Sequence, residues 1–267
     1  MSVELAHIAH GDDHGEAGPV VILHGLLGSA RNWSSFARQL GATRRVFTLD
    51  LRNHGASPWA DEMTYDQMAD DVRAFLAGQG LPAAAVIGHS MGGKVAMRLA
   101  LAHGAQVERL VVVDIAPVAY QRGFHAHVEA MRALDLSQIS RRSEADALLA
   151  EQIDDAGVRG FLLQNLVSGE GGLAWRVPLD ALARNMPELL GFPQPRDAEQ
   201  YAGPALFVTG GRSDYVRPEH HAEILRLFPN TRFAAIPDAG HWVHAEAPQP
   251  FLEVVGAFLE RSRGDLA

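Results

Sequence analysis

The stretch Ala83-Ala84-Ala85-Val86-Ile87-Gly88-His89-Ser90-Met91-Gly92-Gly93-Lys94-Val95-Ala96-Met97-Arg98-Leu99-Ala100 decides the fold. An apolar run of strand length leads into Gly88-His89-Ser90-Met91-Gly92, and helix formers follow at once. Strand, tight turn and helix form the context in which a Gly-x-Ser-x-Gly pentapeptide holds its serine in strained backbone geometry. The two glycines lack Cβ atoms, so strand and helix can approach closely around Ser90. The hydroxyl then stands at the end of a strand, within reach of a base. Alone the pattern is weak, and an ordinary glycine-rich strand-to-helix turn would match it. Its weight comes from what lies on either side.

Outward from Ser90, apolar strand-like runs alternate with helix-like segments. Val20-Val21-Ile22-Leu23 ends in His24-Gly25, with a helical stretch near Asn32 to Leu40. Val46-Phe47-Thr48-Leu49-Asp50 runs into the loop Arg52-Asn53-His54-Gly55-Ala56-Ser57-Pro58. Met68, Val72, Phe75 and Leu76 share one face of a helix predicted over about 65–77. Leu110-Val111-Val112-Val113 leads into Asp114-Ile115-Ala116-Pro117. Continuous runs of this kind suit strands covered on both faces, as in a mostly parallel sheet with helices on each side. From about Val118 to Tyr201 the rhythm changes, with helix formers broken at Gly157, Gly169, Gly172, Pro178, Pro187 and Gly191. Strand character returns at Ala205-Leu206-Phe207-Val208-Thr209 and at Arg232-Phe233-Ala234-Ala235-Ile236, and a last helix spans about 248–260. The expected organisation is therefore an α/β core over 1–118 and 202–267, with a helical cap over 119–201 inserted before the penultimate strand.

Composition narrows the function. With 267 residues, 47% of them hydrophobic and 21% charged, the chain can bury a large core. A formal charge of −9 opposes binding to nucleic acid, where basic surface supplies much of the affinity, and to anionic membrane surfaces. Zero cysteines exclude disulfides, a thiolate nucleophile and cysteine metal ligands. The N-terminal residues show no secretory signal pattern, and no apolar run approaches the ~20 residues of a membrane span. A cytoplasmic protein is expected.

A serine nucleophile needs a base, an acid to orient that base, and an oxyanion hole. His241, in Asp238-Ala239-Gly240-His241-Trp242 after the last predicted strand, is the candidate base, with His244 as the fallback. Two acids compete. Asp214 follows a strand and precedes a helix; Asp114 ends the strand after the Ser90 helix. Strand ends at the carboxyl edge of a parallel sheet open onto one crevice, so either could reach the histidine. Helix capping and a helix N-terminal charge are the bland alternatives for the two aspartates. The backbone N–H of Met91 and one from His24-Gly25-Leu26-Leu27-Gly28, taken as Leu26, are the candidate oxyanion donors.

In combination, His24-Gly25, Asp50-Leu51-Arg52-Asn53-His54-Gly55, the Ser90 pentapeptide, Asp114 and Gly240-His241 resemble the α/β-hydrolase superfamily across nearly the whole chain. The phrases His24-Gly25-Leu26-Leu27-Gly28-Ser29, Val113-Asp114-Ile115-Ala116-Pro117, Trp175-Arg176-Val177-Pro178-Leu179-Asp180 and Gly240-His241-Trp242-Val243-His244-Ala245-Glu246 are similar to small capped bacterial esterases and a mitochondrial branch near them. The resemblance implies hydrolysis of carboxylic esters or thioesters of short to medium acyl chains through an acyl-enzyme on Ser90, with no cofactor and no metal. In that group a serine tends to stand at the position of Ser213, and the acid at the position of Asp114 is the triad member. This chain carries both Asp114 and Asp214. Related chemistry on lactones, carbon–carbon bonds or peroxyacids, and a ligand-binding protein on the same fold, are the competing readings.

Three other patterns weigh less. Gly88 to Lys94 begins like a phosphate loop, but Val95 stands where the Mg²⁺-holding hydroxyl belongs. His7, His10, Asp12, Asp13 and His14 fit a solvated turn better than a metal site. Phe124, Phe161, Leu162 and Trp175 fit either the packing of the cap or an acyl pocket beneath it.

Overall fold

The computed structural model describes residues 2–12, 17–121, 124–169, 171–196 and 198–260. Asp13 and His14 lie outside the described residues. The first half of the chain runs β1 (His7–His10), β2 (Val20–Leu23), α1 (Ser34–Leu40), β3 (Val46–Leu49), α2 (Tyr65–Gly78), β4 (Ala84–His89), α3 (Met91–Ala102) and β5 (Val107–Val113). Then come α4 (His125–Arg132), α5 (Arg142–Leu149), α6 (Ala156–Leu162), the hairpin β6 (Leu166–Gly169) and β7 (Gly172–Trp175), and α7 (Leu179–Leu190). The chain ends with β8 (Ala205–Gly210), α8 (His221–Leu227), β9 (Thr231–Ile236), α9 (Val243–Glu246) and α10 (Pro248–Glu260).

Seven strands form one sheet in the order β1-β3-β2-β4-β5-β8-β9. All pairs are parallel except β1 with β3. Val21 and Leu23 of β2 face one apolar core while Val20 and Ile22 face the other. The same alternation divides Leu110 and Val112 from Val111 and Val113 in β5. Every residue of β2 and β4 is buried, because α2 and α3 cover one face and α1 and α10 the other. Each large aliphatic side chain enclosed this way is worth about 1.5–3 kcal/mol. Helix α2 starts on a capping box: Gln67 N–H donates to Thr64 Oγ1, and Thr64 N–H donates to Gln67 Oε1.

The chain leaves β2 to one side for β3 and returns to the other side for β4. Ligands of open parallel sheets sit beyond such a reversal, at the carboxyl ends of the strands. Here that crevice lies beside Gly25, after β2, and Ser90, after β4. The segment between β5 and β8 is mainly helical, as its breaks suggest. It also contains the β6–β7 hairpin, which the sequence reading passed over. Those strands are only four residues long and half exposed, so they lack the buried apolar run that marks the main sheet.

Candidate active site

Ser90 has φ 51° and ψ −119°, a left-handed conformation costly for a residue with a Cβ. Close packing on both sides over-determines it. A Cβ on Gly88 would stand 2.2 Å from Gly92 O, and one on Gly92 would stand 2.5 Å from Leu23 O and His24 O. Ser90 N–H donates to Val113 O at 3.0 Å, tying the turn to β5. Leu27 (φ 62°) and Asp114 (φ 52°) adopt the same region. Three such residues at the end of one sheet carry strain of about 1–3 kcal/mol each, which the surrounding fold sustains.

His241 lies between β9 and α9. Its Nε2 is 3.1 Å from Ser90 Oγ and its Nδ1 is 2.7 Å from Asp114 Oδ2. The carboxylate fixes the tautomer: Nδ1–H donates to Asp114, which leaves Nε2 to accept the Ser90 hydroxyl proton. The Asp114 side chain is fully buried. Its Oδ1 accepts Gly210 N–H at 3.1 Å, and its Oδ2 also accepts the Ser213 hydroxyl. Tyr215 stacks on the imidazole at 4.0 Å and 19°. His89 Nε2–H donates to His241 O at 2.9 Å, holding the backbone behind it. Asp214 does not join this chain of bonds. It is exposed on the turn after β8, and Asp114 occupies the partner position on His241. The reason is sheet order: β5 adjoins β4, so Asp114 ends beside Ser90, whereas Asp214 lies four residues past the end of β8.

Leu26, Ser90 and Met91 line one cavity. Among the described residues, neither the Leu26 nor the Met91 backbone N–H donates to a protein acceptor. Two buried histidines shape the Leu26 loop. His54 Nε2 accepts Leu27 N–H at 3.0 Å, and His24 Nε2 accepts Leu51 N–H at 3.0 Å. In return His24 Nδ1–H donates to Gly25 O and His54 Nδ1–H to Arg52 O. Both rings must be neutral to accept an amide hydrogen. Burial draws His24 down to about 4, and burial with the neighbouring His24 draws His54 down to about 3. Both histidines stand in motifs that carry the family resemblance, but nothing in the sequence gives them this bracing role. Their trace is a repeated His-Gly dipeptide after two strands, at His24-Gly25 and His54-Gly55. His244, the fallback base, instead stacks on Trp33 at 4.0 Å and 10°, and no bond joins it to Ser90.

Two small cavities, of about 50 and 20 Å³, meet at Ser90, Leu26 and Phe124. The larger runs past Met91, Tyr65, Lys94, Tyr120 and Met186. The smaller is lined by His241, Trp242, Trp33 and Phe161. Phe124 and Phe161 thus face cavities, while Leu162 is buried in the core. The inserted segment reaches the site directly: Asn165 Nδ2 donates to Leu27 O at 2.8 Å. Lys94, the end of the apparent phosphate loop, is buried and donates to Leu190 O and Gly191 O.

A serine, imidazole and carboxylate in series are the arrangement of a hydrolase site. Comparison with known proteins gives the family. A profile of the Alpha/beta hydrolase family matches residues 20–254. The protein named sn-1-specific diacylglycerol lipase ABHD11 from Mus musculus is 46% identical over 248 residues, covering 90% of this chain and 80% of the relative. Esterase YbfF from Escherichia coli is 37% identical over 242 residues, covering 90% of this chain and 92% of the relative. A solved structure titled "Marine microorganism esterase" superposes with a TM-score of 0.92 at 36% identity, covering 96% of this chain and all of that one. The chain belongs to the alpha/beta hydrolase family. It is an ester-cleaving serine hydrolase of the carboxylesterase type. Among the described residues, no helix is long and apolar enough to cross a membrane.

Proposed function

We propose that Ser90 is the nucleophile, His241 the general base and acid, Asp114 the orienting acid, and the Leu26 and Met91 amides the oxyanion hole. Ser90 Oγ attacks the acyl carbon as its proton passes to His241 Nε2. The carbonyl electron pair moves onto oxygen, where the two amides receive it. Collapse of the tetrahedral intermediate breaks the bond to the leaving alcohol or thiol, which takes the proton from His241. Water, deprotonated by the same nitrogen, then attacks the acyl-enzyme, and the acid and free Ser90 are released. The observation that carries this reading is the unbroken series from Ser90 Oγ through His241 to a carboxylate held by Gly210 N–H and Ser213.

The substrates are small-molecule carboxylic esters or thioesters of short to medium acyl chains. The small cavities at Ser90 favour acyl groups of modest size, and relatives named as diacylglycerol lipases make glyceride esters worth including in a substrate panel. Residues 119–201 act as the cap over a core of 1–118 and 202–267. The −9 charge and zero cysteines favour a cytoplasmic enzyme that engages no nucleic acid. The test is intact mass after a fluorophosphonate, with hydrolysis of p-nitrophenyl esters of increasing chain length, for wild type and Ser90→Ala. One adduct and ester turnover, both lost in Ser90→Ala, are expected. Folded protein showing neither would replace the enzyme reading with a binding one.

A further inference from the structure

Acyl transfer leaves one buried charged group unused. Lys94 stands one helical turn beyond Ser90 on α3, and residues four apart share a helix face. It is only 2% exposed. Nζ donates to Leu190 O at 3.1 Å and to Gly191 O, at the end of α7. It lies 4.8 Å from the ring centre of Tyr120 and 5.6 Å from that of Tyr65. Among the described residues, no carboxylate stands within ion-pair distance of it. A dry ammonium with no counter-charge is costly, and burial draws this one down to about 7.

Two carbonyls accept two of the three ammonium hydrogens. Among the described residues the third meets no acceptor atom, with the Tyr120 and Tyr65 rings beside it, and Lys94 lines a cavity together with Ser90, Met91, Ile115 and Met186. The tyrosine hydroxyls nearby are already committed, Tyr65 to Leu189 O and Tyr120 to Tyr215 O, each at 2.7 Å. Lys94 is the one cation among the described residues lining that cavity. The direction of the chemistry shows which part of a substrate enters it. The leaving group takes its proton from His241, and His241 lines the other cavity. The acyl chain therefore lies on the Met91–Lys94 side.

On the esterase reading above, we propose that Lys94 recognises a carboxylate at the far end of the acyl chain, so that this pocket selects esters and thioesters of short dicarboxylic acids over fatty esters of equal length. Four residues of helix rise about 6 Å, so the chain between reacting carbon and distal carboxylate is short.

The test compares ethanol release from monoethyl glutarate and from ethyl valerate, two five-carbon acyl groups differing in the terminal carboxylate, with the Ser90→Ala rate as background. Wild type should favour monoethyl glutarate in kcat/KM by about ten- to a hundredfold, the range of a charged hydrogen bond. Lys94→Met and Lys94→Gln should bring that ratio to one or below, whatever they do to both rates in common. Melting temperature and fluorophosphonate labelling check that each variant is folded with a reactive serine. A wild-type ratio of one or less, or a ratio unchanged in folded variants, overturns the proposal and leaves the esterase reading standing. If wild type cleaves neither ester, fluorophosphonate labelling and p-nitrophenyl ester turnover judge the esterase reading, and calorimetry judges the proposal. Binding of monoethyl glutarate that is lost in Lys94→Met would support recognition by Lys94, and absence of binding would overturn it.

Discussion

Acidification should unfold this protein through its buried histidines before most of its carboxylates titrate. His24 and His54 are 1% and 0% exposed, and each uses Nε2 to accept a backbone N–H, which a protonated ring cannot do. Their pKa values are lowered from 6.5 to about 4 and about 3, chiefly by burial. Between pH 6.5 and those values the unfolded chain binds protons that the native chain does not. Stability therefore falls as pH falls through that window and is flat above about pH 7. At pH 5 an unfolded histidine is about 97% protonated, so each native neutral ring costs about 2 kcal/mol. The pair costs about 4 kcal/mol, with a slope near 3 kcal/mol per pH unit. His89, 4% exposed and drawn well below 6.5 by burial, adds in the same direction. Set against a net stability of about 5–15 kcal/mol, this is a large fraction. Urea titrations at pH 7.5, 6.5, 5.5 and 5.0 measure it, with the m-value checked for constancy. His54→Gln should reduce the slope by about 1.4 kcal/mol per pH unit whatever its baseline stability. A loss below about 1 kcal/mol between pH 7.5 and 5.0 would refute the reasoning, because neutral buried rings could not then be present.

Two further substitutions test the site and its frame. Asp114→Asn should lower kcat for p-nitrophenyl butyrate by about 10⁴-fold through loss of the correct imidazole tautomer. Asp214→Asn, on an exposed turn, should change it by less than about threefold, and comparable losses in both would sink the single-acid assignment. Gly92→Ala places a Cβ 2.5 Å from the carbonyl oxygens of Leu23 and His24, neither of which can yield without moving β2. Its melting temperature should drop by about 10 °C or more, or soluble protein should be lost, as calorimetry would show.

The main sheet was legible because its strands are buried on both faces and read as unbroken apolar runs. The Ser90 turn was legible because only glycine fits at positions 88 and 92. His241 followed from chain order. The choice between Asp114 and Asp214 depends on which strand adjoins β4, and strand order is set by packing between segments far apart in sequence. The resemblance pointed to Asp114 and to Ser213, and the two meet at one carboxylate oxygen. The β6–β7 hairpin was missed because four-residue, half-wet strands carry no periodic signal. In the sequence Lys94 stands out only as the end of an apparent phosphate loop. Its burial against the carbonyls of α7 is a long-range contact that no local pattern announces. The stacking of Tyr215 on His241, and the bonds by which His24 and His54 hold the neighbouring loops, are hidden for the same reason.

The bond from Asn165 to Leu27 O joins two parts of the chain that would otherwise be free to diverge. Asn165 belongs to the segment between β5 and β8, whose Phe124 and Phe161 line the cavities, and Leu27 belongs to the loop that carries Leu26, the proposed oxyanion donor. A mutation that reshapes residues 162–165 to admit a bulkier substrate therefore disturbs rate acceleration as well as fit. Substitutions at Phe124 and Met186, which line the larger cavity without holding that loop, should change fit with less effect on rate, and Asn165 should be the less tolerant position.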